Sequence, residues 1–300
     1  MPPSAPGHDT ARPGGASREP FGVRLAAARR RRGGLCIGID PHPALLAAWD
    51  LPDSPAGLER FSLTALEVLG PEAAALKPQV ALYERHGSKG LAVLETLLAR
   101  AAEADVLTIA DAKRGDIGST MTAYAQAWLA EGAPLAADAV TLNPYLGFES
   151  LRPALDLAEA TGRGVFVLAL TSNPEGASVQ HAGGTESVAL RIVRAAAAEN
   201  RAASAAGVPG SVGLVIGATV GTAVKSLGLD LGALNGPILA PGVGAQGAGA
   251  RELEAGFGAA RPLVLPTSSR AVLAAGPDPA RLREAARSAR REVDPLPAVD

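Results

Sequence analysis

The chain has a single cysteine, Cys36, set in an apolar, strand-like run. A disulfide framework is therefore excluded, a reducing compartment is the natural setting, and the thiol reads as a small buried hydrophobe rather than a nucleophile. Histidine is nearly as scarce. His8, His42, His86 and His181 form no spaced ligand set and Cys36 adds none, so neither a metal nor another cofactor is expected. No apolar run reaches the roughly 18 residues of a membrane span, and the 47% hydrophobic content is largely alanine. A net charge of −2 with acids and bases interspersed gives no footprint for nucleic acid or an anionic membrane. The N-terminal stretch MPPSAPGHDTARPGGAS lacks the apolar segment of a signal peptide. Residues 1–20 are expected to form a disordered tail, and the chain to be a soluble cytoplasmic protein.

What the chain does have is length and one dense polar string. Its 300 residues suit one large α/β domain or two small ones and can bury a substantial core. Asp105–Thr120, DVLTIADAKRGDIGST, opens with Val106–Ala110, an apolar run expected to be a buried strand. Asp111, Lys113 and Asp116 follow directly. Residues i and i+2 of a strand share a face, so Asp111 and Lys113 should point together into one cavity. Asp116 falls in the Gly-containing loop Arg114–Gly118, which can carry it away from the strand axis. A bare Asp-x-Lys could equally be a surface ion pair, worth little energetically.

The rest of the chain alternates. Phe21–Arg32 reads as an amphipathic helix whose basic end, Arg29–Arg32, is stopped by Gly33 and Gly34 and solvated. Leu35–Ile39 is a strand closing on Asp40, and Ala73–Leu76 a second one delivering Lys77. After the central strand come Ala139–Leu142 ending at Asn143, Val165–Leu170 ending at Thr171, and Val212–Ile216. Ile238–Ala240 runs into the Gly-rich turn containing Gly242, Gly244 and Gln246, and Leu263–Leu265 into Thr267–Arg270. Helical spacing covers Leu58–Leu69, Leu91–Ala104, Met121–Glu131, about Glu149–Ala160, Glu186–Ala206 and Pro279–Glu292. Asn173–Thr185 is longer than a routine strand–helix link and suggests a lid.

Eight short apolar strands alternating with helices predict an α/β fold, a single-domain (β/α)8 TIM barrel over residues 21–292, with 293–300 as a C-terminal tail. Asp40, Lys77, Asp111, Lys113, Asn143, Thr171, Gln246 and Arg270 all fall at or just past the C-terminal end of a strand. In a barrel those ends converge on one mouth, where active sites are built. The turns after strands seven and eight occupy the usual phosphate position, where backbone N–H groups and a guanidinium can hold a dianion.

The string Asp111, Lys113, Asp116, Ile117, Gly118, Thr120 matches D-x-K-x-x-D-[IV]-G-x-T, and by it the chain resembles the orotidine 5′-phosphate decarboxylases from about Phe21 to Arg291. LKPQ (Leu76–Gln79), TLNPYLG (Thr141–Gly147), LTSNPEG (Leu170–Gly176), APGVGAQG (Ala240–Gly247) and TSSR (Thr267–Arg270) look like the family's second, longer bacterial branch, shared with some eukaryotic parasites. The resemblance implies cofactor-free conversion of orotidine 5′-monophosphate to UMP and CO2, the last step of de novo pyrimidine nucleotide synthesis. Lys77, Asp111, Lys113 and Asp116 would surround the reacting carbon, with Lys113 as proton donor. Asp40 would bind ribose, Thr171 the pyrimidine edge, and Gln246 with Arg270 the 5′-phosphate. Asn143, Gly242 and Gly244 would also contact substrate. The resemblance further implies a homodimer in which Asp116, Ile117 and Thr120 act in the partner's site.

Plainer readings stand beside these. Asp40 can cap a turn before Pro41, Asn143 can form one before Pro144, Thr171 can be a loop hydroxyl, and Gly242 and Gly244 can be turn glycines. Trp49 and Trp128 read as packing residues. Related sugar-phosphate decarboxylases and aldol synthases share the D-x-K-x-x-D string but hold Mg²⁺ with an acidic residue after strand two. Here Lys77 stands at that position and disfavours a divalent cation. A barrel that only binds nucleotide or serves as a scaffold would have no need of two ammonium–carboxylate pairs.

Overall fold

The computed structural model describes residues 18–244 and 247–294. Eight parallel strands run β1 Cys36–Ile39, β2 Ala75–Pro78, β3 Ile109–Arg114, β4 Ala139–Leu142, β5 Gly164–Leu170, β6 Val212–Ile216, β7 Ile238–Pro241 and β8 Val264–Ser268. Their order is β2-β1-β8-β7-β6-β5-β4-β3. Among the described residues only the β2–β3 seam lacks a continuous ladder; it is closed by the isolated bridges Leu76↔Thr108 and Gln79↔Asp111. The expected (β/α)8 barrel is present, and no described helix is long and apolar enough to cross a membrane.

The alternation of each strand sorts its side chains into two cores. Ile37, Leu76, Val140, Val167, Leu214, Ile238 and Val264 point outward to the helices. Cys36, Ala75, Ile109, Ala139, Phe166, Val215, Leu239 and Leu265 fill the barrel interior. Helix Phe21–Arg32 closes the bottom of that interior: Phe21 is fully buried and meets Phe166 edge-on, with ring centroids 5.9 Å apart. Burying such a ring stabilises the fold by about 2 kcal/mol. The interior positions nearest the C-terminal ends carry polar groups instead, so one period-2 pattern builds both the floor and the site above it.

Two local differences from the sequence reading have physical causes. Arg29 and Arg32 are not simply solvated, because they donate to the carbonyls of Pro262, Val264 and Asp105 around the bottom rim. The expected helix Glu186–Ala206 is split into Val188–Glu199 and Arg201–Ala205. Between them Asn200, almost fully buried, uses its amide to tie Val212 and the Leu234 carbonyl. The stretch Asn173–Thr185, which the sequence suggests as a lid, holds the short helical segments Pro174–Gly176 and Ala177–Gln180.

Candidate active site

A cavity of about 470 Å³ opens at the C-terminal ends of the strands, lined among others by Asp40, Lys77, Gln79, Asp111, Lys113, Thr171 and Arg270. Lys77 and Asp111 fall at or just past the ends of strands in the sequence reading, and the strands extend through both. They lie within β2 and β3, on the inward face. They meet across the weakly paired seam, Lys77 Nζ donating to Asp111 Oδ2 at 3.0 Å.

Asp111 is the hub. Its Oδ2 also accepts from Gln79 Nε2 at 3.0 Å, and its Oδ1 accepts from Lys113 Nζ at 2.6 Å and from Thr141 Oγ1 at 3.0 Å. Burial by itself would raise the Asp111 pKa; Lys77 and then Lys113 more than reverse this and hold the carboxyl well below the usual carboxylate range. Burial would likewise discharge Lys77, but Asp111 and then Asp40 hold its pKa above the ordinary lysine value. Both groups therefore remain charged at neutral pH. At an effective dielectric near 20, a charge contact at roughly 4 Å is worth about 4 kcal/mol before desolvation, enough to keep ammonium groups charged in an enclosed site.

Lys113 reaches the hub by an irregular route. Its φ is +48°, in the left-handed region, and the β3–β4 register shifts between Ala110 and Arg114. Such a conformation costs a non-glycine residue about 1–3 kcal/mol and persists only where surroundings hold it. The result is a side chain 45% exposed, with its ammonium tethered on one side and open to the cavity on the other.

Further parts of the wall come from β1, β7 and β8. Asp40 Oδ1 lies 3.9 Å from Lys77 Nζ and is buried without a hydrogen-bond partner. Gly38 has to lack a side chain, since a Cβ there would collide with Ser269 Oγ. Gly242 and Gly244 have φ of +104° and +69°, so the turn after β7 needs glycine for its backbone. Arg270 is exposed at the rim. Thr171 is tied to the following turns: its N–H donates to Gln180 Oε1 at 2.9 Å, and Gln180 Nε2 donates to its Oγ1 at 2.7 Å.

Five of the described residues expected in the site do not line this cavity; one is Gly244, in the turn after β7. Asn143 is exposed, and its Oδ1 accepts from the Tyr145 N–H at 3.1 Å, the turn geometry foreseen as its plainer reading. Asp116 Oδ1 accepts from its neighbour Ile117 N–H at 2.8 Å, while Ile117 and Thr120 face solvent. Gln246 lies outside the described residues, as do most of the expected terminal tails. Conversely, Gln79, Thr141 and His42 border or support the site without a role assigned from the sequence, while Thr267 and Ser269 line it from the stretch after β8 that the sequence places at the phosphate position. The i+2 rule that links Asp111 to Lys113 would have found Gln79 from Lys77.

A family model described as "Orotidine 5'-phosphate decarboxylase / HUMPS family" matches residues 34–286. A Salinispora arenicola protein named orotidine 5′-phosphate decarboxylase is 55% identical over 270 residues, covering 89% of this chain and 95% of that protein. A Streptomyces coelicolor protein of the same name is 54% identical over 270 residues, with the same 89% and 95% coverage. Among solved structures, a candidate orotidine 5′-phosphate decarboxylase from Streptomyces avermitilis superposes with a TM-score of 0.87 at 54% identity, covering 93% of this chain and 96% of that one. Leishmania donovani OMP decarboxylase superposes with a TM-score of 0.70 at 30% identity, covering 91% and 97%.

Proposed function

This chain belongs to the orotidine 5′-phosphate decarboxylase family, and we propose that it converts orotidine 5′-monophosphate to UMP and CO2 with Lys113 as the proton donor. The observation that carries this is the Lys113 ammonium, held 2.6 Å from Asp111 and half-open to the cavity. When the bond from the ring's C6 to the carboxyl group breaks, CO2 leaves and the electron pair stays on C6. That sp² orbital lies in the ring plane and cannot delocalise into the π system, so stabilisation has to come from charge fixed beside it. A Lys113 N–H proton then moves to C6, giving UMP, and solvent reprotonates the amine.

The remaining residues supply placement. Asp40 and Lys77 suit the ribose hydroxyls, and Thr171 suits the pyrimidine edge. Gly242, Gly244, Gln246 and Arg270 suit the 5′-phosphate. The phosphate sits far from the reacting carbon, so its binding energy can be used to orient the ring. Lys77 also separates this site from the Mg²⁺-dependent branch, because an ammonium 3.0 Å from Asp111 repels a divalent cation from that carboxylate.

A homodimer fits the residues left outside the cavity. Ile117, Tyr145 and Leu146 are 62%, 76% and 53% exposed, large apolar side chains in the segments that follow the paired strands β3 and β4. In that reading Asp116, Ile117 and Thr120 complete the partner's site, Asp116 becomes the second anion for Lys113, and the assembly works in the cytoplasm.

Orotidylate and uridylate differ in ultraviolet absorbance, so turnover is directly visible. Turnover insensitive to EDTA is expected, and Lys113→Ala should abolish it with the fold retained. Near-normal turnover in that variant would remove the proton-donor role, and loss of turnover in EDTA would favour the metal-dependent branch.

A further inference from the structure

We infer that Thr141 is a positioning residue for this reaction, its one hydroxyl holding the Lys113 backbone in its bulged conformation and orienting the Asp111 carboxylate. The inference rests on the decarboxylase reading for its kinetic test, but its structural basis is independent of it.

Ala110 pairs with Val140 and Arg114 with Leu142. Between those two pairs β3 spends three residues, Asp111, Ala112 and Lys113, where β4 spends only Thr141. Extra residues of this kind bend a strand and re-aim its side chains, and they collect at active sites. Here the bulge leaves the Lys113 N–H without a place in the regular ladder, and Thr141 Oγ1 accepts it at 2.9 Å. The same oxygen donates its own proton to Asp111 Oδ1 at 3.0 Å, and Lys113 Nζ returns to that Oδ1 at 2.6 Å. The ring so formed runs from the Lys113 amide through Thr141 and Asp111 back to the Lys113 amine. It fixes the left-handed backbone and the ammonium together. Thr141 is fully buried and does not line the cavity, so water has no room to replace it and substrate has no surface there to touch.

Two substitutions separate hydrogen bonding from packing. Thr141→Val keeps the branched shape but can neither accept from Lys113 nor donate to Asp111. Thr141→Ser keeps the hydroxyl and gives up a methyl group. With orotidine 5′-monophosphate, Thr141→Val should lower kcat by roughly 10- to 100-fold, with KM changed by less than about threefold, the signature of a misplaced reacting group rather than lost binding. Thr141→Ser should remain within about threefold of the native kcat. A valine variant with native kcat, or a serine variant as impaired as the valine one, would overturn the assignment. Should the valine variant fail to fold, amide exchange in the native chain decides. The Lys113 N–H should exchange slowly although it has no backbone acceptor, and exchange at the rate of an open loop amide would overturn the inference. A native chain that does not turn over orotidine 5′-monophosphate would count against the proposed function alone, and the amide readout would still decide the role of Thr141.

Discussion

Lys113 lies two positions after Asp111 on the same strand, and its ammonium turns back to within 2.6 Å of the Asp111 carboxylate. Neighbouring side chains on one face of a strand normally stand side by side. This pair instead closes on itself because the strand is bulged and Lys113 is left-handed. One end of the ammonium is thus occupied by a fixed anion while the other remains available to the cavity, which suits a group that must both hold its charge and give up a proton.

The Asp111 carboxyl should make the fold acid-sensitive in a defined way. Lys77 and Lys113 overcome the effect of burial and keep its pKa well below the ordinary carboxylate value, while the unfolded chain takes up that proton near pH 4, roughly. The unfolded state then binds more protons in that window, so stability rises with pH through it. The contribution is complete above about pH 4 and is lost as pH falls toward the folded-state pKa. Asp111→Asn should cost roughly 3 kcal/mol at pH 7, because two ammonium groups lose their shared anion. The gap from the native chain, measured by urea unfolding, should narrow as pH drops below about 4. A gap that stays constant across that range would show that Asp111 is not its source.

The proposed shared site predicts complementation. Lys113→Ala and Asp116→Ala chains should each be inactive alone, whereas mixed dimers contain a site with native residues at both positions and should regain turnover. Ile117→Asp, which puts a charge at an exposed apolar position, should shift sedimentation toward the monomer and lower turnover with it. Verified mixed dimers without rescue would argue against Asp116 acting in the partner's site.

Cys36 offers a probe of the barrel floor. It is fully buried beneath Lys77, and burial pushes its thiol up to about 12, with Lys77 and Thr267 offsetting only part of that rise. A thiol reagent at pH 8 should therefore label the native chain at a rate set by unfolding, at least about a thousandfold slower than the denatured chain. Labelling of the native chain as fast as the denatured one would mean that the floor opens without global unfolding.

The sequence by itself determined the rhythm of eight apolar strands and the placement of Lys77, Asp111, Lys113, Asp40, Thr171 and Arg270 at the mouth. Alternation along a strand is a local property, so the residues alone decide which side chains share a face and which end of the strand turns polar. Only the tertiary structure decided that Gln79 and Thr141 meet at Asp111, that Lys113 sits on a bulge, that Gly38 must leave room for Ser269, and that Asn143 turns outward. Those facts depend on the register between strands and on how the β2–β3 seam closes. They are set by packing between residues far apart in the chain, where no local pattern records which side chain will meet which.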